Sequence, residues 1–286
     1  ARRCVPAARN DRGGEGVTGQ QRWTHLGARS TRFPLSKGGT MKIMTIVRHV
    51  PDAEARVAIE DQQVVLSGAA WVLDGMDEYG VEQALRMRDD GMEVEIVALA
   101  LGSARSEEAL RTALAMGADR ARLLETDEEP DVLSAARDLA DVIRDEAPDL
   151  VLLGGKQADW DSAGLGPAIA ELLGWPLSDW TTQMHLDDRV LVTTHDADVG
   201  TETLTMTLPA VVTTQQGLNE PRYPTLPNIM KAKRKELVRE PARAHARTTR
   251  VTERALERRD REQRMLQGSP VEVASDLARI LHEATA

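Results

Sequence analysis

The stretch DLVLLGGKQADWDSAGLGP, residues 149–167, combines a strand, a glycine-rich loop and a helix start, and it is the best single guide to the fold class. The apolar run after Asp149 has the length of a buried strand. Gly154 and Gly155 permit a tight backbone turn, and a helix is predicted from about Ala163. A continuously apolar strand that leads into a helix is typical of a parallel α/β sheet. Ligands of such sheets lie beyond the carboxyl ends of the strands, so this loop is also the first candidate binding site.

The loop carries polar groups that suit a nucleotide. Backbone amides at the helix start could hold a phosphate. Asp159 and Asp161 could accept hydrogen bonds from a ribose, and Ser162 could donate one to a phosphate. The loop matches neither GxGxxG nor GxxxxGKS/T, so it supports neither a dinucleotide dehydrogenase nor a phosphate-transferring P-loop. A glycine-rich turn with solvated aspartates is the alternative interpretation.

Short apolar strands alternate with helices from Met41 onward. Helices are predicted over 77–90, 106–117 and from 131, and the strands are KIMTIVRHV (42–50), EVEIVALAL (93–101), ARLLE (121–125) and DLVLLGG (149–155), with QVVLS (63–67) as a short edge strand. Strands separated by helices of about ten to fifteen residues imply crossover connections. We therefore predict an α/β fold with a doubly wound, mostly parallel sheet of the adenine-nucleotide hydrolase-like or Rossmann-like type.

The pattern changes after about Trp175. Antiparallel additions to the sheet are predicted from WTTQMHL (180–186), RVLVTTHD (189–196) and TETLTMTLPAVVTT (201–214). Residues 236–267 are polar and rich in arginine without a strong period, which predicts an extended arm. Ser269, Pro270 and Glu272 then form a capping pattern at the start of a final helix.

Composition and charge exclude several classes of function. The 286 residues are 41% hydrophobic but only 3% aromatic, and the formal net charge is −10. This negative balance argues against a nucleic-acid partner, which requires a basic surface. No apolar run approaches the roughly eighteen residues of a membrane span, so no membrane insertion is expected. Cys4 is the only cysteine, so any redox chemistry must depend on an organic cofactor.

Residues 1–40 differ from the rest of the chain. They contain eight basic and two acidic residues and no periodic apolar stripe. We predict a disordered extension outside the fold, or a start assigned too early, since Met41 directly precedes the first strand. A mitochondrial targeting peptide is the alternative, although the glycines oppose an amphipathic helix.

Catalytic motifs are not apparent. The six histidines show no HExxH or other metal-ligand spacing, and no GxSxG elbow is present. We therefore predict that the chain has no catalytic residue and no metal site, and that it is not an enzyme by itself.

A second stretch, LNEPRYPTLPNIMKAKRK (218–235), places apolar residues beside the densest cluster of positive charge. Its three prolines predict that Asn219 to Asn228 lies outside regular elements. Leu226, Ile229 and Met230 are the apolar residues of this segment. A loop that crosses the surface and runs into a solvated helix end is the simple interpretation of this pattern.

Several blocks, taken together and in order, resemble the electron transfer flavoprotein β subunit family. They are LNEPRYPTLPNIMKAKRK, LRTALAMGADRA (110–121), DLVLLGGKQ (149–157), GLGPAIAELLGWP (164–176) and LPAVVTT (208–214). The resemblance extends from Met41 to about Lys235 and, more faintly, through RMLQGSPVEVASDLARIL (264–281). Residues 1–40 have no counterpart in the family.

This resemblance implies a heterodimer in which an α subunit holds most of a redox-active FAD. The β subunit would complete the flavin site and hold AMP in its own pocket, or a second FAD in electron-bifurcating members. The residues implied for the nucleotide pocket are Ile46, Asp74, Gly75, Met76, Asp77, Leu101, Gly155, Lys156, Gln157, Ala158, Asp159, Trp160, Asp161, Ser162, Ala163, Gly164, Leu165 and Gly166.

The chain departs from the family pattern at three places. Asp74 and Gly75 stand where the family usually has Asn-Pro, one residue is missing between Ala158 and Asp159, and no Gln lies near Gly164. The sequence HVPD (49–52) is similar to bifurcating members, whereas the 218–235 block fits the AMP-binding ones. We favour AMP and keep a second FAD as the alternative.

The resemblance also implies the partners. Electrons would come from acyl-CoA or related dehydrogenases, as in fatty acid oxidation, and pass to a respiratory-chain acceptor such as a quinone oxidoreductase. Leu226 would anchor the dehydrogenase, assisted by Tyr223, Pro227, Ile229, Met230 and Lys231. The expected organisation is a nucleotide-binding domain over 41–235 and an arm and helix over 236–286 that contact the α subunit. The expected location is the cytoplasm of a bacterium or the mitochondrial matrix of a eukaryote.

Two other classes share this kind of sheet. An ATP-using enzyme of the adenine-nucleotide hydrolase type would need an SGGxDS-like loop after the first strand, and VRHVPD (47–52) does not supply one. A nucleotide sensor of the universal-stress type would not need the 218–235 block.

Overall fold

The computed structural model describes residues 40–56, 58–60, 63–66, 68–157, 161–243, 245–253, 255 and 265–285. The predicted extension therefore lies outside the described residues, apart from Thr40. Within the described part of the chain, no helix has both the length and the apolar character that a membrane-spanning segment needs.

Thirteen strands are present among these residues. They are β1 (Met41–Ile46), β2 (His49–Pro51), β3 (Ala58–Glu60), β4 (Gln63–Val65), β5 (Trp71–Leu73), β6 (Val94–Gly102), β7 (Arg120–Glu125), β8 (Leu150–Gly154), β9 (Leu177–Asp187), β10 (Val190–Ala197), β11 (Gly200–Thr207), β12 (Ala210–Thr214) and β13 (Leu237–Pro241). The helices are α1 (Gly75–Asp89), α2 (Glu107–Met116), α3 (Val132–Glu146), α4 (Leu165–Leu173), α5 (Leu226–Ala232) and α6 (Pro270–Thr285).

Nine of the strands form one sheet in the order β11-β10-β9-β12-β8-β1-β6-β7-β13. Every neighbouring pair from β9 to β13 is parallel, and β10 pairs antiparallel with both β9 and β11. Strands β2 and β5 pair separately, as do β3 and β4. The predicted parallel sheet with antiparallel additions is therefore confirmed.

Two apolar layers bury the central strands on both faces. On β8, Leu150 and Leu152 pack on one side and Val151 and Leu153 on the other, because successive side chains of a strand point to opposite faces. Helices α1 and α2 cover the first face, and α3 and α4 cover the second. This burial on both faces explains why the central strands read as continuous apolar runs.

The ends of several helices follow the predicted signals. The Asp131 side chain accepts a hydrogen bond from Ser134 N and caps α3. Gly117 ends α2 with a φ of 147°, a conformation that favours glycine. Ser269 and Glu272 exchange hydrogen bonds at the start of α6, as expected for a capping box.

The structure corrects three local predictions about strands. LPAVVTT contributes β12, an inner strand parallel to both β8 and β9 and not an antiparallel addition. QVVLS contributes β4, which pairs with β3 outside the main sheet. The segment predicted to begin an extended arm starts with β13, which pairs with β7 at the sheet edge. Because β13 belongs to the main sheet, the sheet continues beyond Lys235, the predicted end of the nucleotide-binding domain.

A fourth correction concerns the proline-rich segment. Leu226 to Asn228 was predicted to lie outside regular structure, but these residues form the first turn of α5. Thr225 caps this helix by accepting a hydrogen bond from Asn228 N, and Pro227 lies in the first turn. Proline is tolerated there because the first N–H groups of a helix have no intrahelical partner.

Candidate functional site

The carboxyl group of Asp77 ties three segments together at the carboxyl ends of β1 and β8. Its oxygens accept hydrogen bonds from Arg48 N at 2.9 Å and from Gly154 N at 2.7 Å. Burial raises the pKa of Asp77 well above its usual range, the charge of Asp74 raises it further, and the two backbone donors oppose the shift. Asp74 caps α1 by accepting from Met76 N at 3.0 Å. The start of α1 and the ends of the two strands are thus fixed relative to one another.

A cavity of about 440 Å³ opens at this edge of the sheet. Ile46, Leu101 and Leu165 of the predicted pocket line it. The remaining lining residues lie at or after the carboxyl ends of β1, β6 and β7 or belong to β2, β5 and α3. They are Val47, Arg48, His49, Trp71, Gly102, Ser103, Arg105, Ser106, Thr126, Asp127, Glu128, Glu129, Pro130, Ala135 and Leu139. The position of the cavity agrees with the rule for ligand sites in parallel sheets.

The walls of the cavity differ in charge. Arg48 and Arg105 bring positive charge, and residues 127–129 bring three carboxylates. His49 also lines the cavity, with its ring centroid 5.3 Å from that of Trp71. Burial lowers the pKa of His49, so the imidazole is neutral near pH 7, and its Nε2 lies 3.7 Å from the Glu108 carboxylate. The cavity therefore offers an apolar floor, aromatic rings, and both cationic and anionic groups to a ligand.

The loop after β8 has a polar atom whose hydrogen bonding is incomplete. Gln157 is 2% exposed, and its Nε2 donates to Gly154 O at 3.2 Å, while its Oε1 has no hydrogen-bond partner among the described residues. Ser162 Oγ accepts from Gly164 N at 3.1 Å where the next helix begins. A hydroxyl or amino group of a bound nucleotide would satisfy the buried Gln157 oxygen. This buried acceptor would fit a hydrogen-bond donor of an adenine nucleotide, and Gln157 itself is not among the residues that line the cavity.

Gly155 packs closely against other segments of the chain. Its N–H donates to Thr214 O at 2.8 Å. A Cβ at this position would lie 3.2 Å from that carbonyl oxygen and 3.3 Å from the Trp180 ring. Packing against β12 is therefore one reason for glycine here, in addition to the backbone approach predicted from the sequence. Gly166 is restricted more strongly, since a Cβ would lie 2.3 Å from Thr213 Cγ2.

The other predicted loop residues are distributed as follows. Lys156 and Asp161 form an ion pair across the loop. Ala163 follows at the approach to α4. Ala158, Asp159 and Trp160 lie outside the described residues.

The structure does not bring the whole predicted pocket together. Asp74, Gly75 and Met76 line a second hollow of about 490 Å³, which they share with residues 221–224. Sequence reasoning also missed the cavity wall formed by Arg105 and residues 126–130. The signal for that wall was available, because those residues directly follow the predicted strands β6 and β7.

The 218–235 segment exposes its apolar side chains on a firmly anchored backbone. Tyr223 is 95% exposed, Leu226 73%, Met230 55% and Ile229 41%. Arg222 donates to the buried carboxylate of Glu82 from Nε at 2.7 Å and from Nη2 at 3.1 Å.

Other contacts hold the beginning of this segment. Asn219 Nδ2 donates to Tyr79 O at 3.0 Å and to Gln83 Oε1 at 3.2 Å. Lys231 is exposed, so a positive charge borders the apolar residues. An exposed apolar patch on a rigid support is typical of a protein-binding surface.

Comparison with known proteins gives a consistent result. The electron transfer flavoprotein domain family matches residues 62–245. The electron transfer flavoprotein subunit beta of Bacillus subtilis (strain 168) is 34% identical over 254 residues, which cover 84% of this chain and 97% of the relative. The subunit beta of Bradyrhizobium diazoefficiens is 37% identical over 199 residues, or 69% of this chain and 80% of the relative. The human subunit beta is 38% identical over 203 residues, with 69% and 80% covered. With the fold, the cavity and these similarities in agreement, the chain belongs to the electron transfer flavoprotein β subunit family.

Proposed function

We propose that this chain is the β subunit of a heterodimeric electron transfer flavoprotein. It accepts electrons from acyl-CoA or related dehydrogenases and passes them to a respiratory-chain acceptor such as a quinone oxidoreductase. It acts as a carrier subunit and not as a catalyst by itself. Relatives from rice are named as mitochondrial. For this chain we propose the bacterial cytoplasm or, in a eukaryote, the mitochondrial matrix.

The observation that carries this proposal is the exposed apolar patch of Tyr223, Leu226, Ile229 and Met230 on its anchored segment. A shuttle protein must bind its electron donor quickly and leave it again. A rigid loop loses little conformational entropy on docking. The neighbouring cation Lys231 would accelerate encounters with an acidic surface without making the complex long-lived. Pro227 in the first turn of α5 adds to this rigidity.

Two nucleotide ligands complete the proposal. FAD, shared with the α subunit, supplies reversible uptake and release of electrons when bound. AMP occupies the cavity at the carboxyl ends of β1 and β6 as a structural ligand, with its base against Ile46, Leu101 and Leu165. Gln157 and the loop after β8 would then bind its polar groups. We propose that the predicted site residues 155–166 and 74–77 also serve the binding of AMP. They would either contact the nucleotide or, as Asp77 does through its hydrogen bond from Gly154 N, position the loop after β8.

Residues 41–235 form the proposed nucleotide-binding domain, extended by β13. The remainder, with α6, is proposed to contact the α subunit. Leu277 and Leu281 of α6 are 47% and 56% exposed, which suits a helix that packs against another chain.

A second FAD in the cavity is the alternative, and one observation favours it. The rings of His49 and Trp71 line the cavity together with Ile46 and Leu101, which would suit a second ring system. In that case the protein would divide electrons between two acceptors.

Co-expression with an electron transfer flavoprotein α subunit tests both versions. We expect a 1:1 heterodimer that contains about one FAD and one AMP. Two FAD molecules without AMP would establish the alternative. Stoichiometric, tight FAD on the isolated chain would contradict the shared flavin site.

A further inference from the structure

Helix α5 carries Leu226, Ile229 and Met230 of the exposed apolar patch and lies against α2. It is seven residues long, and Ala232 is its one buried residue. A helix of this length is not stable by itself in water. The direction in which Leu226, Ile229 and Met230 point therefore depends on the contact of α5 with α2 and on hydrogen bonds at the two ends of the segment.

Arg111 on α2 satisfies the carboxyl end of this helix. Its Nη1 donates to Ala232 O at 2.8 Å and to Lys235 O at 3.0 Å. Its Nε donates to Glu107 Oε1 at 2.9 Å, which orients the guanidinium. The last carbonyl groups of a helix have no intrahelical donor, so a cation placed there stabilises them.

Lys235 makes the reciprocal contact. Its Nζ donates to Leu114 O at 3.0 Å and to Ala118 O at 2.6 Å, at the carboxyl end of α2. Each helix thus has its end capped by a cation that belongs to, or follows, the other helix. We call Arg111, Lys235 and these four hydrogen bonds the clasp.

The other end of the segment is tied to α1. Glu82 accepts from Arg222 Nε and Nη2, and Arg222 Nη2 also donates to Asp89 Oδ2 at 2.7 Å. Burial opposes ionisation of Glu82, but hydrogen bonds from Arg222 and Arg86 lower its pKa overall, so the pair is charged near pH 7. The patch therefore lies between two charged attachments on different helices.

We propose that Arg111 and Lys235 are positioning residues for docking of the electron donor. They act through α5, which they hold so that its apolar side chains face outward together. This inference rests on the proposed docking function. It adds that partner affinity depends on a contact on α2, outside the exposed patch.

The test compares Arg111→Met with Arg144→Met in the co-expressed heterodimer. Arg144 Nη2 donates to Leu172 O at 2.6 Å near the carboxyl end of α4, so the control removes a similar contact on the opposite face of the sheet. Hydrogen exchange of residues 226–232 reports the order of α5. Reduction of the bound flavin by a dehydrogenase that reduces the parent protein, at varied dehydrogenase concentration, reports docking.

For Arg111→Met we expect faster exchange in α5. Its apparent KM for the dehydrogenase should rise about three- to tenfold, with unchanged kcat and flavin content. Arg111→Lys should fall between this variant and the parent, because one ammonium replaces the forked guanidinium. Arg144→Met should match the parent in both measurements.

Unchanged exchange in residues 226–232 of Arg111→Met would overturn the proposal, and so would faster exchange with unchanged KM. A Leu226→Ala heterodimer measured in parallel distinguishes a failure of the docking function from a failure of the clasp. If Leu226→Ala also leaves KM unchanged, the docking function itself is wrong. If only Leu226→Ala raises KM, the docking function stands and the clasp has no part in it.

Discussion

Truncation of Leu226 separates docking from redox chemistry. The side chain is 73% exposed at the start of α5, so Leu226→Ala removes few internal contacts. Alanine and leucine are both good helix formers. The free energy of unfolding should therefore change by less than about 0.5 kcal/mol. Flavin content and chemical reduction by dithionite should stay as in the parent.

The affinity for the partner dehydrogenase should change by much more than the free energy of unfolding. Full burial of a leucine side chain contributes about 1.5–3 kcal/mol, and about three quarters of this one is available for burial by a partner. Its loss should therefore cost about 1–2 kcal/mol of partner affinity, which is a five- to thirtyfold weakening.

The assay is reduction of the heterodimer by its dehydrogenase while the dehydrogenase concentration is varied. Val199→Ala is the matched control, since this side chain is fully exposed in the turn between β10 and β11. It should leave the apparent affinity unchanged. Normal affinity in Leu226→Ala would refute the anchor role. A strongly destabilised variant would show that the side chain is buried in the protein itself.

Three further predictions concern the body of the protein. The hydrogen bond from Arg120 lowers the pKa of Glu146 to about 2, so its stabilising contribution is present above the unfolded pKa of about 4.5 and is lost as the pH falls through about 2. Urea unfolding should show a shallower decline over this range in Glu146→Gln, and an identical pH dependence would contradict the assignment. Asp77→Asn leaves one of the two backbone N–H groups, Arg48 N or Gly154 N, without an acceptor, so it should reduce stability by about 1–3 kcal/mol; an unchanged unfolding midpoint would show that these two hydrogen bonds do not stabilise the fold. Gly155→Val should displace the Trp180 ring and reduce both bound AMP and thermal stability, and full AMP content would remove this loop from the nucleotide site.

The antiparallel and edge strands show where sequence patterns were insufficient. LPAVVTT has a strand-like composition, but nothing local distinguishes an inner parallel strand from an outer antiparallel one, because the partner strands β8 and β9 lie elsewhere in the chain. β13 was missed for a different reason. It lies at the sheet edge with Val238 and Arg239 exposed, so it shows no continuous apolar run.

The candidate site was predicted in part for similar reasons. The loop after β8 stood out because glycines, aspartates and a helix start are adjacent in the sequence. The wall formed by Arg105 and residues 126–130 comes from two other crossover connections. These segments meet only when β1, β6 and β7 lie side by side.

The sequence alone determined the class of fold and the family, and it indicated the loop after β8 as a candidate binding loop. These properties depend on local periodicity, on turn residues and on ordered blocks such as residues 218–235, all of which can be read along the chain. Tertiary structure alone decided which strands pair, which side chains share the cavity, and how α5 is held. Arg111 and Ala232 are separated by 121 residues. A hydrogen bond across that distance in sequence is a consequence of packing between helices, and no local pattern predicts it.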